Sequence, residues 1–229
     1  MAKQRTRLSL TAEHVARVER LEPDPGPEPG TMEHLDQEYD EWAAALLAGH
    51  TGALWVFAYG SLIWNPEFES VEQHRAVAAG WHRAFCLRMA RWRGTHTMPC
   101  LMMALDRGGS CTGIAYRLPP GGEHAQVRKL LYRELDDKPA SNVPRWITVS
   151  TAEGPVRALT FVADRKGRSY AGRLPPGEVA HVLARAAGNF GSATQYLYRT
   201  VGMLEQHGIR DRNLWRLQHL VAAEIDKMG

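Results

Sequence analysis

The chain has 229 residues, 44% of them hydrophobic, and its 28 basic and 25 acidic side chains leave a formal charge of +3. This is enough apolar material for one domain with extensions or two small ones, and too little net charge to require a polyanionic partner. Three cysteines, Cys86, Cys100 and Cys111, are odd in number and lack Cys-x-x-Cys spacing; that excludes a disulfide framework and a classical zinc site, and predicts reduced, buried thiols in a cytoplasmic protein.

No stretch approaches the length of a membrane span, and Lys3, Arg5 and Arg7 precede no apolar run of the kind a secretory signal needs. Thr11 is placed to cap a short helix with Val15, Val18 and Leu21 on one face. Pro23, Pro25, Pro27 and Pro29 then predict an extended linker. A second helix is expected from Met32 to Leu47, ending before Gly49, with Trp42, Leu46 and Leu47 available for docking. Residues 1–53 thus read as a helical arm with a Pro-rich linker, and 54–229 as the main domain.

From Leu54 onward most signals are strands. Arg75 to Gly80 and Trp81 to Met89 read as two strands with a turn between them, and Cys100 to Leu105 as a third. Asp106-Arg107-Gly108-Gly109 reads as a turn before a strand from Thr112 to Leu118. After Pro119-Pro120-Gly121-Gly122 a helix is expected from Ala125 to Leu135, with Val127, Leu130 and Leu131 on one face. Trp146 to Ser150 and Val156 to Val162 are strands. The chain is helical from Pro176: Val179, Val182 and Leu183 come first, then Tyr196, Leu197, Val201 and Leu204, closed by Gly208. Asp211 is placed to cap the last helix, with Leu214, Leu217, Leu220 and Val221. Strands first and helices last predict an α+β fold: a small mixed β-barrel or curved sheet with flanking helices and a helical C-terminus.

One segment carries more than secondary structure. Trp55-Val56-Phe57 begins as an apolar strand and breaks at Ala58-Tyr59-Gly60-Ser61-Leu62-Ile63. Gly60 lets backbone approach a ligand, and Ser61 with the amides around it can face a small polar group. Read as pattern alone, the segment is better taken as a strand ending in a turn. Glu134 closes the predicted helix and has two readings. It is a solvated carboxylate paired with Lys138 at i+4, or, if turned into an apolar pocket, a general base of raised pKa.

Other chemistries find less support. Ser61 lacks the Gly-x-Ser-x-Gly context of a nucleophile elbow. His96 and Cys100 have helical spacing but Pro99 between them. There is no phosphate-binding or dinucleotide-binding glycine motif. The stretch Trp81 to Arg93 interleaves arginines and aromatics, which suits either a single-stranded nucleic-acid face or an amphipathic strand binding a small carboxylate; the low charge favours the second.

Val56-Phe57-Ala58-Tyr59-Gly60-Ser61-Leu62-Ile63-Trp64 closely resembles the opening strand and loop of ChaC-type gamma-glutamylcyclotransferases. The resemblance continues in order through Gly80-Trp81-His82-Arg83-Ala84-Phe85, Arg93-Gly94-Thr95 and the Gly109-to-Leu118 string. It goes on through Tyr132-Arg133-Glu134, Gly191-Ser192 to Tyr196-Leu197, and Gly208-Ile209, covering roughly Trp55 to Val221. The chain departs from the family after Glu134. Leu135-Asp136-Asp137-Lys138-Pro139 replaces a Lys-Gly-Gly-Tyr turn in a stretch expected to border the pocket and to bear on substrate preference. The arm before Leu54 has no counterpart in the minimal family pattern.

The resemblance implies a lyase that cleaves glutathione to 5-oxoproline and cysteinylglycine, the substrate's α-amine attacking its own γ-carbonyl. It implies Glu134 as general base and acid, and Ala58, Tyr59, Gly60, Ser61, Leu62, Ile63 and Tyr196 as substrate contacts. It implies no cofactor, no metal, and no nucleic-acid or membrane partner. Two alternatives stand beside it: the same reaction on other gamma-glutamyl amines or amino acids, and a non-catalytic nucleic-acid-binding β-barrel.

Overall fold

The computed structural model describes residues 8–28, 30–135 and 138–228. Lys3, Arg5, Arg7, Pro29, Asp136 and Asp137, named above, lie outside the described residues. In chain order the elements are α1 (Ala12–Val18), α2 (Asp36–Leu47), β1 (Trp55–Ala58), α3 (Ser61–Trp64), β2 (Glu72–Met89), β3 (Cys100–Arg117) and α4 (Glu123–Glu134). They continue with β4 (Asn142–Thr151), β5 (Gly154–Ala163), α5 (Pro176–Leu183), β6 (Ala187–Gly188), β7 (Gly191–Ser192), α6 (Ala193–Gln206) and α7 (Arg212–Asp226). The chain folds as two compact units. One holds residues up to Pro25, Met89–Met102 and Leu174–Gly229; the other holds Gly26–Arg88 and Met103–Arg173.

The second unit is built on a closed mixed barrel in the order β1-β3-β2-β4-β5. β1 lies antiparallel to β3, with Trp55 opposite Arg117 and Ala58 opposite Ile114, and parallel to β5, with Trp55 opposite Ala158. β4 and β5 form a hairpin in register from Asn142–Ala163 to Thr151–Gly154. Closure removes the exposed sheet edges and leaves the β-branched and aromatic residues facing one core. Val56, Phe57, Ala58, Ala115 and Leu159 are fully buried there.

Two expected turns are bends within long strands. β2 runs unbroken through Gly80 (φ 81°), and β3 through Gly108 (φ 104°) and Gly109 (φ 73°). Glycines in the left-handed region let an 18-residue strand curl around the barrel without reversing. The second helix starts at Asp36, later than expected, because Met32 instead pairs with Lys138. α2 packs on α4: Arg128 contacts Asp36 and Asp40, each at 3.0 Å, and Tyr39 meets Tyr132 edge-on at 5.4 Å. Trp42 docks edge-on against His34 and Tyr39.

In the first unit Thr11 caps α1 as expected, accepting from His14 N–H. Val15 and Val18 are half-buried, but Leu21 falls beyond the helix end and is 75% exposed. The helical C-terminal part is interrupted by the β6–β7 hairpin before α6 and α7. Tyr196, Leu197, Val201 and Leu204 form the buried face of α6, and Asp211 caps α7 through Asn213 N and Leu214 N. All three cysteines are buried and outside any disulfide, and burial pushes the Cys86 thiol up to about 12. Among the described residues no helix is long and apolar enough to cross a membrane.

Candidate active site

Three groups hold the end of β1. Thr160 Oγ1 donates to the Phe57 carbonyl at 2.9 Å, and Arg83 Nε donates to the Tyr59 carbonyl at 2.6 Å. Arg83 Nη2 also donates to the Thr112 carbonyl at 2.6 Å, so one buried guanidinium ties the loop after β1 to β3. On the other side Gly113 has no space for a side chain: a Cβ there would stand 2.8 Å from the Phe57 ring and collide with the Ala58 carbonyl. The Gly109-to-Leu118 string therefore contains a glycine that lets β3 approach β1 closely.

Beyond Tyr59 the chain turns into the single-turn helix α3. Ile63 N donates to Gly60 O at 3.0 Å and Asn65 N to Ser61 O at 2.8 Å. Ala58, Tyr59, Gly60, Leu62 and Ile63 are buried and Ser61 is half-buried. No acceptor among the described residues takes the N–H groups of Gly60, Ser61 or Leu62. They stand at the start of α3, where a helix offers its first N–H groups no partner of its own.

Glu134 is the last residue of α4. It continues the stripe of buried Val127, Leu130 and Leu131 by one more helical repeat, which turns its carboxylate inward. Its side chain keeps 15% exposure. Burial raises its pKa above the ordinary 4.5; Arg133, whose Nε donates to Oε1 at 3.1 Å, pulls it partly back, and the charge of Glu67 pushes it up again. Lys138, the expected i+4 partner, pairs with Glu38 instead. Arg133 also reaches Glu67, with Nη1 3.1 Å from Oε1, and Asn65 Nδ2 donates to that same oxygen at 2.9 Å. Glu134 is thereby linked through Arg133, Glu67 and Asn65 to the α3 turn.

Tyr196 belongs to the first unit, where it is 4% exposed and lies beneath the Arg93 guanidinium, 5.6 Å from its ring centre. Arg93 is itself buried and donates to Ser192 O at 2.8 Å and to Gln195 Oε1 at 3.0 Å. Among the described residues no group of three or more His, Cys, Asp or Glu is arranged to hold a metal, and His96 and Cys100 belong to none. Arg83, Gly113, Glu67 and Arg133 were not singled out from sequence. The periodicity of Val127, Leu130, Leu131 and Glu134 was the one available signal that Glu134 points inward.

The sequence model of the ChaC-like protein family matches residues 54–224. This chain belongs to that family. Among similar proteins, the "glutathione-specific gamma-glutamylcyclotransferase" of Escherichia coli is 37% identical over 71% of this chain and 70% of its own. The mouse "glutathione-specific gamma-glutamylcyclotransferase 1" is 28% identical over 79% of this chain and 80% of its own. A crystal structure of a yeast gamma-glutamyl cyclotransferase specific to glutathione superposes with a TM-score of 0.68 at 20% identity, covering 76% of this chain and 97% of that one. The expected ChaC membership and the α+β barrel with flanking helices both hold. As a ChaC protein the chain keeps the Tyr59-Gly60-Ser61 loop and the Tyr132-Arg133-Glu134 helix end in one compact unit.

Proposed function

We propose that this ChaC-family protein is a glutathione-specific gamma-glutamylcyclotransferase, a lyase acting on a small molecule. The observation that carries the reading is Glu134: a carboxylate on the buried stripe of α4, unpaired with Lys138 and held above its ordinary pKa, in a chain whose Escherichia coli and mouse relatives are named for that activity.

The reaction needs little beyond positioning and one proton relay. The α-amine of the gamma-glutamyl group attacks its own γ-carbonyl, forming the new C–N bond of a five-membered lactam. Glu134 takes one proton from the α-ammonium, freeing the amine to attack, and gives it to the departing nitrogen as the amide C–N bond breaks. The attacking nitrogen's second surplus proton then leaves through the same carboxylate and ends on the released amine, giving 5-oxoproline and cysteinylglycine. Holding the chain folded for ring closure supplies much of the acceleration, because both reacting groups belong to one molecule. The N–H groups of Gly60, Ser61 and Leu62, flanked by Ala58, Tyr59 and Ile63, hold the substrate and face the oxyanion that develops on the γ-carbonyl. Ser61 is a contact and not a nucleophile. The catalytic part is residues 54–229, with 1–53 as its arm, and the reduced thiols suit the cytoplasm.

The nucleic-acid reading loses its basis, because three of the four arginines between Trp81 and Arg93 are committed within the fold. Arg83 binds backbone carbonyls, Arg91 pairs with Asp24 at 2.8 Å, and Arg93 is buried over Tyr196. The test is release of 5-oxoproline from glutathione by the purified protein, with other gamma-glutamyl amines and amino acids as parallel substrates. Glu134→Gln is expected to lower kcat by about 10²–10⁴-fold. Equal activity in that variant removes Glu134 as the base; product from none of the substrates removes the enzyme reading.

A further inference from the structure

Glu67 has a backbone conformation that a glutamate rarely adopts, φ 54°, on the loop leaving α3. A non-glycine residue is held in the left-handed region only when its surroundings fix it, and such positions concentrate at functional sites. Asn65 Nδ2 supplies the fixing contact at 2.9 Å. What the conformation achieves is contact with Arg133, whose Nη1 stands 3.1 Å from Glu67 while its Nε donates to Glu134. One guanidinium, with its side chain 14% exposed, thus hydrogen-bonds Glu134 and stands at ion-pair distance from Glu67 without a hydrogen bond to it. An arginine shared in this way neutralises neither carboxylate fully.

We propose that Glu67 and Arg133 are positioning residues: Glu67 holds one arm of the Arg133 guanidinium away from Glu134, so that Glu134 is oriented by Arg133 yet stays basic enough to accept a proton. This rests on the reading of Glu134 as the base. The electrostatics run in the same sense, since Arg133 lowers the Glu134 pKa and Glu67 raises it. The other charged groups packed around α4 are engaged elsewhere or face the neighbouring groove. Asp36 and Asp40 of α2 contact Arg128, His124 lies 4.0 Å from Asp40, and Glu38 takes Lys138. Lys129 and Glu69 line an open groove of about 470 Å³ whose wall includes Glu67 and Arg133.

The experiment compares Glu67→Gln and Glu67→Gly with the parent protein. Glycine relieves the left-handed backbone while deleting the carboxylate, so it removes the charge without relying on a strained turn. Both variants should move the rising limb of the kcat–pH profile to lower pH. Both should reduce kcat at neutral pH about threefold to tenfold, leaving KM within twofold. A ¹³C-carboxyl NMR titration, with the Glu134 signal assigned by its loss in Glu134→Gln, should show the Glu134 pKa falling in both variants. That titration needs no turnover, so it distinguishes failure of this proposal from failure of the catalytic reading. An unmoved Glu134 titration in either folded variant overturns the role of Glu67, as does a change in KM alone.

Discussion

Arg83 Nε donates to the Tyr59 carbonyl at 2.6 Å, and this one bond decides which way the next peptide unit faces. In a trans peptide the carbonyl and the following N–H point in opposite directions, so fixing Tyr59 O aims Gly60 N–H away from Arg83. Replacing Arg83 by Lys leaves a cation that cannot serve the Tyr59 and Thr112 carbonyls with two planar donors. Arg83→Lys is expected to cost about 1.5–3 kcal/mol in urea denaturation and to reduce kcat/KM for glutathione by about tenfold or more. Unchanged kinetics in the folded variant would show that Gly60 N–H plays no part in holding the reacting group.

Glu134 carries a signature in stability as well as in rate. Its pKa is raised in the folded protein, so its ionisation is harder there than in the unfolded chain. Its contribution to stability is fully present below the ordinary value of 4.5 and is lost as pH rises through the higher folded value. Glu134→Gln should therefore gain stability relative to the parent as pH is raised from 4 to 8, with the rate of the parent enzyme rising over the same window. Parallel denaturation curves for the two proteins at all pH values would contradict the buried, raised carboxylate.

Asp106 behaves in the opposite sense. Burial pushes its pKa up, but Arg165 Nε at 2.6 Å, the Arg107 amide at 2.8 Å and the Tyr170 hydroxyl at 2.9 Å bring it below the usual 3.8. Its stabilisation is present above 3.8 and disappears as pH falls through the lowered folded value. Asp106→Asn should cost about 1–3 kcal/mol at neutral pH, and the difference from the parent should shrink on acidification. Thermal melts between pH 7 and pH 2 measure it.

Gly113→Ala tests the close approach of β3 to β1. The methyl group would meet the Phe57 ring and the Ala58 carbonyl, a backbone atom that cannot swing away. Destabilisation of about 1–3 kcal/mol is expected, with reduced turnover because the displaced strand end leads directly into Tyr59 and Gly60. Wild-type melting and activity in this variant would mean that β1 can shift freely.

Much of this architecture was legible in the sequence because its signals are local. The apolar run at Trp55, the spacing of Val127, Leu130 and Leu131, and the caps at Thr11 and Asp211 each state their own structure. Gly80 and Gly108-Gly109 misled because a glycine at positive φ serves a reversal and a bend alike, and only the closing of the barrel decides between them. Leu21 looked like a continuation of the α1 face, but the helix stops at Val18. The inward turn of Glu134 was present in the periodicity; its charge obscured it. Glu67 gave no signal at all, since nothing in a glutamate announces a left-handed backbone, and its partner Arg133 is distant in sequence.

The docking of α2 on α4 also has a consequence for how the protein loosens. Lys138 N donates to Met32 O at 2.6 Å, Trp146 Nε1 to Leu46 O at 3.1 Å, and His50 stacks on Trp146 at 4.6 Å, each contact joining the family-matched span to a residue ahead of it. A protein trimmed to begin at residue 54 would bare Trp146 and lose the Tyr39 contact of Tyr132 and the Arg128 contacts that brace α4. The barrel would keep its slow amide exchange while the α4 amides exchanged at least tenfold faster by hydrogen–deuterium mass spectrometry. Such an outcome would mean that residues ahead of position 54 set the opening free energy of the helix that bears Glu134.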